Sequence, residues 1–277
     1  MEIRILHLYY DIMNLYGEYG NVKVLEKHLR DQGFEVIVDK KTIGEEKHFE
    51  DYDFIYMGCG TENNQKVVLS DLLKEKDDFI NAIENEKIVL LTGNSFEILG
   101  QAIDDEDAIG ILNFKTQHID KRITTDAICT SKKFKEKIVG FINTSSIVKG
   151  NNNPLLEYEY NTRNLENDGV AYKNVIGTHL IGPLLIRNPE ILEYIVRKLC
   201  AKKDENFEYK DIEYLEEEEG YKLVLSELEK RKSMWLPHTF IISFIFIFIC
   251  IVINVSKMTI YKSSVCIFLN PRTFWMV

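Results

Sequence analysis

The stretch KIVLLTGNSFEILG, from Lys87 to Gly100, constrains this chain more than any other. Ile88 to Leu91 is a β-branched and leucine run suited to a strand buried on both faces of a parallel sheet. It breaks at Thr92-Gly93-Asn94-Ser95, a turn that leads into a helix start. Asn94 or Ser95 is read as the cap of that helix, and Glu97, in its first turn, as an acid that needs only the helix dipole. In open α/β sheets such strand–turn–helix elbows lie at the carboxyl ends of the strands, where ligands and nucleophiles sit.

The flanking segments extend the pattern. Ile3 to Leu8 predicts a first strand, and VKVLEKHLRDQG, with apolar Val22, Val24, Leu25 and Leu29 and a closing Gly33, predicts a helix. Glu35 to Val38 and Asp53 to Met57 predict two more strands. The second of these ends in the loop GCGTENNQ, before a helix around Lys66 to Leu73. Strands alternating with helices at this spacing require crossover connections, so the fold class is α/β with a doubly wound, mostly parallel sheet. After Gly100 the period changes. GILNF, ITTDAICT and KIVGFI read as short strands, antiparallel in part, GNNNPLLEYEYN as a polar loop, and VAYKNVIGTHLIGPLLIRNPEIL as strand, turn and helix with Pro189 in the first turn.

Composition excludes several function classes. A chain of 277 residues with 45% hydrophobic and 28% charged residues can bury one large α/β core or two modest ones. Its net charge of -10 and its unsegregated Lys and Arg argue against nucleic acid as a partner. Cys59, Cys129, Cys200, Cys250 and Cys266 show no CxxC or Cys/His spacing, so no zinc site is read and a reducing cytoplasm is expected. His7, His28, His48 and His118 are isolated, and no metal or cofactor is expected. The opening MEIRILHLYY carries Glu2 and too short an apolar run for a signal peptide.

Four motifs occur in order: LYYDIMNLYGEYGN, GCGTENNQ, LLTGNSFEILG and GTHLIGPLLIRNPEIL. Together they resemble the glutaminase subunits of lipid II isoglutaminyl synthase, within the cobyric-acid-synthase-type class I glutamine amidotransferases. In that family the motifs read LYPDLLNLYGDRGN, GGGQDxEQ, CGGYQLLG and GTYxHGPxLxxNP or similar. The resemblance covers roughly the first 200 residues and implies a class I amidotransferase fold. It also implies a Mur-ligase-like synthase partner, to which a glutaminase would supply ammonia for amidating a lipid-linked glutamate.

The resemblance places Gly93 at the family's nucleophilic cysteine and Ile181 at its catalytic histidine. A working member needs a thiolate to attack the glutamine carboxamide and a histidine to move the proton. Neither residue here can do either job, so the domain is expected to be catalytically degenerate and to act by binding. On that reading Gly93→Cys with Ile181→His restores the site. The alternative is a rearranged site that uses Cys59, in the glycine loop, and His179, two residues before Ile181; otherwise Cys59 is a small buried filler and His179 stands in for the family's tyrosine. Gly58, Gly60, Gln65, Asn94 and Ser95 are the expected ligand-binding residues, for a glutamine-like small molecule.

Domain limits are expected at 1–205 for the amidotransferase-like domain, 206–232 for an acidic helical region, and 233–277 for a hydrophobic tail. Within the tail, WLPHTFIISFIFIFICIVINV, from Trp235 to Val255, has about the 20 apolar residues a membrane span requires. Lys230, Arg231 and Lys232 before it favour a cytoplasmic domain anchored to the inner face of the cell membrane. A frame slip giving Phe- and Ile-rich translation is the other explanation of the tail.

Overall fold

The computed structural model describes residues 1–234. At its centre are five parallel strands: β1 (Glu2–Leu8), β2 (Glu35–Lys41), β3 (Phe54–Met57), β4 (Ile88–Thr92) and β11 (Val175–Thr178). They lie in the order β2-β1-β3-β4-β11, every adjacent pair parallel. β1, β3 and β4 carry apolar residues in both phases of their alternation. Ile3, Ile5, Phe54, Tyr56, Ile88 and Leu90 face one core, and Leu6, Leu8, Ile55, Met57, Val89 and Leu91 the other. Burial on both faces is what a parallel sheet with helices on either side demands. Each such Leu or Ile contributes about 1.5–3 kcal/mol by leaving water.

Among the described residues six α-helices accompany the sheet: α1 (Tyr19–Asp31), α2 (Glu62–Leu72), α3 (Lys76–Glu84), α4 (Leu184–Arg187), α5 (Pro189–Lys203) and α6 (Leu215–Met234). Apolar residues of α1 and α5 complete the first core, and those of α2 and α3 the second. α5 opens on Pro189, whose missing N–H costs nothing in a first turn. On α6, Tyr221 and Leu228 pack on Ile128 and Val139, and Arg231 pairs with Asp126 at 2.8 Å.

Beyond β11 the sheet turns antiparallel through β10 (Asn167–Tyr172), β9 (Pro154–Tyr160) and β7 (Lys115–Thr130). β8 (Ile138–Lys149) pairs with β7, and the short β5 (Ala102–Ile103) and β6 (Glu106–Asp107) close the edge. The long β7–β8 ladder replaces two of the three short strands expected after Gly100. GILNF is not a strand: Leu112 bonds back to Leu99 and Gln101 to Phe114, so the segment wraps the elbow. Pro154 opens β9 instead of marking a loop, at a strand's first residue, where its missing donor is tolerated. The candidate span 235–255 lies outside the described residues, and among the described residues no helix is long and apolar enough to cross a membrane.

Candidate functional site

The carboxyl ends of β3, β4 and β11 are in register, Met57 opposite Leu91 and Thr178 opposite Thr92, so the turns that follow them share one edge. After β4 comes a short 3-10 turn, Gly93–Leu99, and not an α-helix. Thr92 occupies the cap position without a side-chain bond, and neither Asn94 nor Ser95 caps. The Ser95 hydroxyl donates to the carbonyls of Thr92 and Met57, at 2.8 and 3.0 Å, which holds the turn to β3.

Gly93 keeps the left-handed backbone of an elbow, with φ +65°, a conformation that glycine adopts without strain. The space a side chain would take there is filled. A β-carbon on Gly93 would stand 2.5 Å from Cβ and 2.6 Å from Sγ of Cys59. In the family motifs quoted above, position 59 is a glycine and position 93 the cysteine; here the two residue types have changed places. A side chain at 93 therefore needs the Cys59 side chain to give way.

Cys59 is buried, and burial pushes its thiol up to about 12. Gly58 and Gly60 on either side are glycines for want of room: β-carbons there would lie 2.6 Å from the Met13 carbonyl and 2.3 Å from the Met13 sulfur. The Gly60 N–H is taken by Asn94 Oδ1 at 3.1 Å, so that donor is already spent within the fold.

Under the elbow lies a buried charged network that reading the sequence missed. His179 Nε2 meets Glu97 Oε1 at 2.8 Å and His179 Nδ1 meets Asp168 Oδ1 at 2.7 Å. Glu97 also accepts from Gln65 Nε2 at 2.7 Å and from the Ser146 hydroxyl. Gln65 Nε2 donates further to the Asn94 carbonyl at 2.6 Å, while its Oε1 has no partner. Burial works against a charged ring at 179, but Asp168 and Glu97 outweigh it and raise His179 to about 10. Burial also opposes the Asp168 charge, which His179 and Thr178 nonetheless hold below the usual carboxylate range. With a carboxylate on each nitrogen, His179 has no free lone pair for a proton from Cys59. Ile181 is buried and held in an antiparallel bridge to Phe141, with its N–H 2.9 Å from the Phe141 carbonyl.

A second buried acid ties the motifs together. Glu18 accepts from Gly182 N at 2.8 Å, Tyr56 Oη at 2.9 Å and the Thr92 hydroxyl. Burial, only partly offset by these donors, raises its carboxyl group. The first motif is thereby fastened to the elbow and to the turn after β11.

Above the elbow a cavity of about 140 Å³ is lined by Cys59, Gly60, Asn94 and Glu97 on one side, and by Arg122, Asn143 and Ser146 on the other. Cavities near ~150 Å³ admit a group the size of benzene. Tyr16 also lines it, at φ +60° and with its hydroxyl 2.6 Å from Asn143 Nδ2. A non-glycine residue held in that region costs on the order of 1–3 kcal/mol, and such strain gathers at ligand sites. Arg122, paired with Glu62 at 2.5 Å, reaches the cavity from the irregular stretch of β7 between His118 and Ile123, where the register with β8 shifts. Bulges re-aim side chains in this way. His118, bonded to Asp104 at 2.6 Å, lines the same cavity. Of the expected ligand residues, Gly60 and Asn94 line the cavity, whereas Gly58, Gln65 and Ser95 lie behind it. Among the described residues no group of three or more His, Cys, Asp or Glu side chains is placed to hold a metal ion.

An elbow on the central strand of a doubly wound sheet, facing a polar cavity, is the architecture of a glutamine amidotransferase domain. Residues 4–189 match the CobB/CobQ-like glutamine amidotransferase domain, and the chain belongs to that family. It is similar to subunit GatD of lipid II isoglutaminyl synthase (glutamine-hydrolyzing) from Staphylococcus aureus, with 29% identity over 240 residues, 84% of this chain and 98% of that one. The GatD subunit of Streptococcus pneumoniae is 29% identical over 213 residues, 73% of this chain and 82% of its own length. The fold resembles that of PurLQS from Thermotoga maritima, with a TM-score of 0.50 at 18% identity, covering 73% of this chain and 99% of that one.

Proposed function

We propose that this chain is the amidotransferase-like subunit of an assembly that amidates lipid II beside a Mur-ligase-like synthase subunit. In that assembly it binds a glutamine-like ligand, or its partner, without hydrolysing glutamine. Family membership and the two subunit relatives support the setting. The loss of hydrolysis rests on one observation: the elbow residue has no side chain, and the space for one is filled by Cys59. Release of ammonia from a carboxamide needs a thiolate to form the acyl-enzyme and a group to protonate the leaving nitrogen. The Cys59 thiol is held protonated, and both His179 nitrogens are engaged.

Binding is a different matter. Arg122 and Glu62 at the cavity offer a guanidinium to an α-carboxylate and a carboxylate to an α-ammonium, the pairing a zwitterionic amino acid calls for. The apolar run 235–255 supports anchoring at the inner face of the membrane, since its length suits a span and Lys230, Arg231 and Lys232 precede it.

One observation favours the second reading, in which Cys59 and His179 form a rearranged glutaminase: the Cys59 sulfur borders the cavity within 2.6 Å of the vacant β-carbon position. Glutamine hydrolysis by the purified protein, alone and with its synthase partner, separates the two. The binding role expects no ammonia release together with saturable glutamine binding that Arg122→Gln weakens at least tenfold. Ammonia release abolished by Cys59→Ser establishes the rearranged site instead.

A further inference from the structure

A second cavity, of about 400 Å³, opens on the α1 face of the sheet, at the carboxyl ends of β1 and β2. Its volume falls within the ~300–1,000 Å³ usual for small-molecule sites. His7 lines it from β1, opposite Lys40 of β2 in the sheet register. The His7 side chain is 3% exposed, and its Nε2 is buried with no hydrogen-bond partner. Buried polar atoms are almost always paired, so an orphaned one behind a cavity wall points to a group missing from that place.

The charges around the cavity give the sign of that group. Lys23 and Arg30 of α1 are each paired with Glu26, both at 3.0 Å. Among the described residues Lys40 has no carboxylate partner, and its ammonium lies 5.3 Å from the Tyr10 ring centroid. Three cations thus face one carboxylate. His7 is neutral, because burial and then Lys40 hold it down to about 4. A neutral imidazole keeps one N–H donor. Tyr10 and the half-exposed Tyr19 supply flat walls.

We propose that this cavity binds a small oxyanion, a carboxylate or phosphate group on a compact carrier, which accepts hydrogen bonds from the His7 ring and the Lys40 ammonium. A donor pair of one neutral and one charged group suits an oxyanion and repels a cation. The site is separate from the cavity at the elbow and stands whether or not glutamine is hydrolysed.

The test is calorimetric titration of the full-length protein with inorganic phosphate and, separately, with succinate, alongside nitrogen NMR of histidine-labelled protein. The expected result is submillimolar, saturable binding of at least one probe, with the His7 Nε2 resonance moving at the same saturation. Phosphate without succinate, or the reverse, identifies which oxyanion the site takes. Lys40→Gln, a change at an exposed side chain, should weaken binding at least tenfold, and Lys40→Arg should recover part of it. No saturable binding of either probe overturns the site, as does binding that leaves the His7 resonance unmoved or is indifferent to Lys40→Gln.

Discussion

The sulfur of Cys59 lies 2.6 Å from the point at which a β-carbon on Gly93 would stand. Two atoms that close cannot coexist, so the identities of these two residues are coupled. Gly93→Cys should therefore destabilise the domain by about 1–3 kcal/mol, the usual cost of overpacking. Cys59→Gly together with Gly93→Cys should recover most of that loss in urea denaturation. Equal stability of the single and double variants would remove the coupling.

If hydrolysis has been lost through side chains and not through the fold, activity returns only when Cys59→Gly, Gly93→Cys and Ile181→His are combined. The triple variant is expected to react with a glutamine-like electrophile at residue 93. Gly93→Cys with Ile181→His alone is expected to stay silent, since nucleophile and base act as a unit and the nucleophile needs room. Mass spectrometry of the labelled peptide reads both outcomes.

Glu97 and His179 replace the Gln and Tyr of the family motifs, and they are bonded to each other at 2.8 Å. Breaking a buried pair from one side leaves an uncompensated charge and typically costs about 3–5 kcal/mol. Glu97→Gln and His179→Tyr should each destabilise on that scale, and the double variant by clearly less than their sum. Additive losses in a double-mutant cycle would mean that the two positions are independent.

The same network sets a pH dependence. His179 is raised to about 10 in the fold against about 6.5 unfolded. Its contribution is therefore complete below pH ~6.5 and drains away as pH rises towards ~10, because the unfolded chain gives up its proton first. Asp168, held low, contributes above its unfolded value of about 3.9 and loses that contribution in acid. Melting temperatures of wild type and His179→Gln should converge between pH 7 and 9.5. A constant gap across that range would show that the ring is not charged in the fold.

If 235–255 anchors the chain, the full-length protein sediments with membranes and resists carbonate extraction. A chain ending at Met234 should stay in the soluble fraction. Carbonate-released full-length protein would end the anchoring proposal.

How much of this was legible beforehand follows from which interactions are local. The parallel strands were, because Ile88 to Leu91 is apolar at every position and Ile3 to Leu8 at all but Arg4 and His7, and only a two-faced sheet buries such runs. The elbow's position was legible in its turn residues. The pairing of Glu97 with His179 carried no local signal: one looked like a first-turn acid and the other like a base for Cys59 or a stand-in for the family's tyrosine. They meet only because β4 and β11 are neighbours. Arg122 was hidden for another reason, since the register shift that turns it inward follows from pairing between β7 and β8 and leaves no mark in the hydrophobic period. Pro154 misled, because a proline among asparagines marks a turn far more often than the start of a strand.

If hydrolysis has been lost as proposed, the cysteine at 59 and the glycine at 93 also decide how it could return. From the present state, restoring a cysteine at 93 first meets an occupied space, and removing the one at 59 first leaves a void beside a bare turn. With Ile181 packed in its bridge to Phe141, a third change is required before either of the others yields any turnover. On that proposal selection for hydrolysis has no single step to act on, and the site is closed to return one residue at a time.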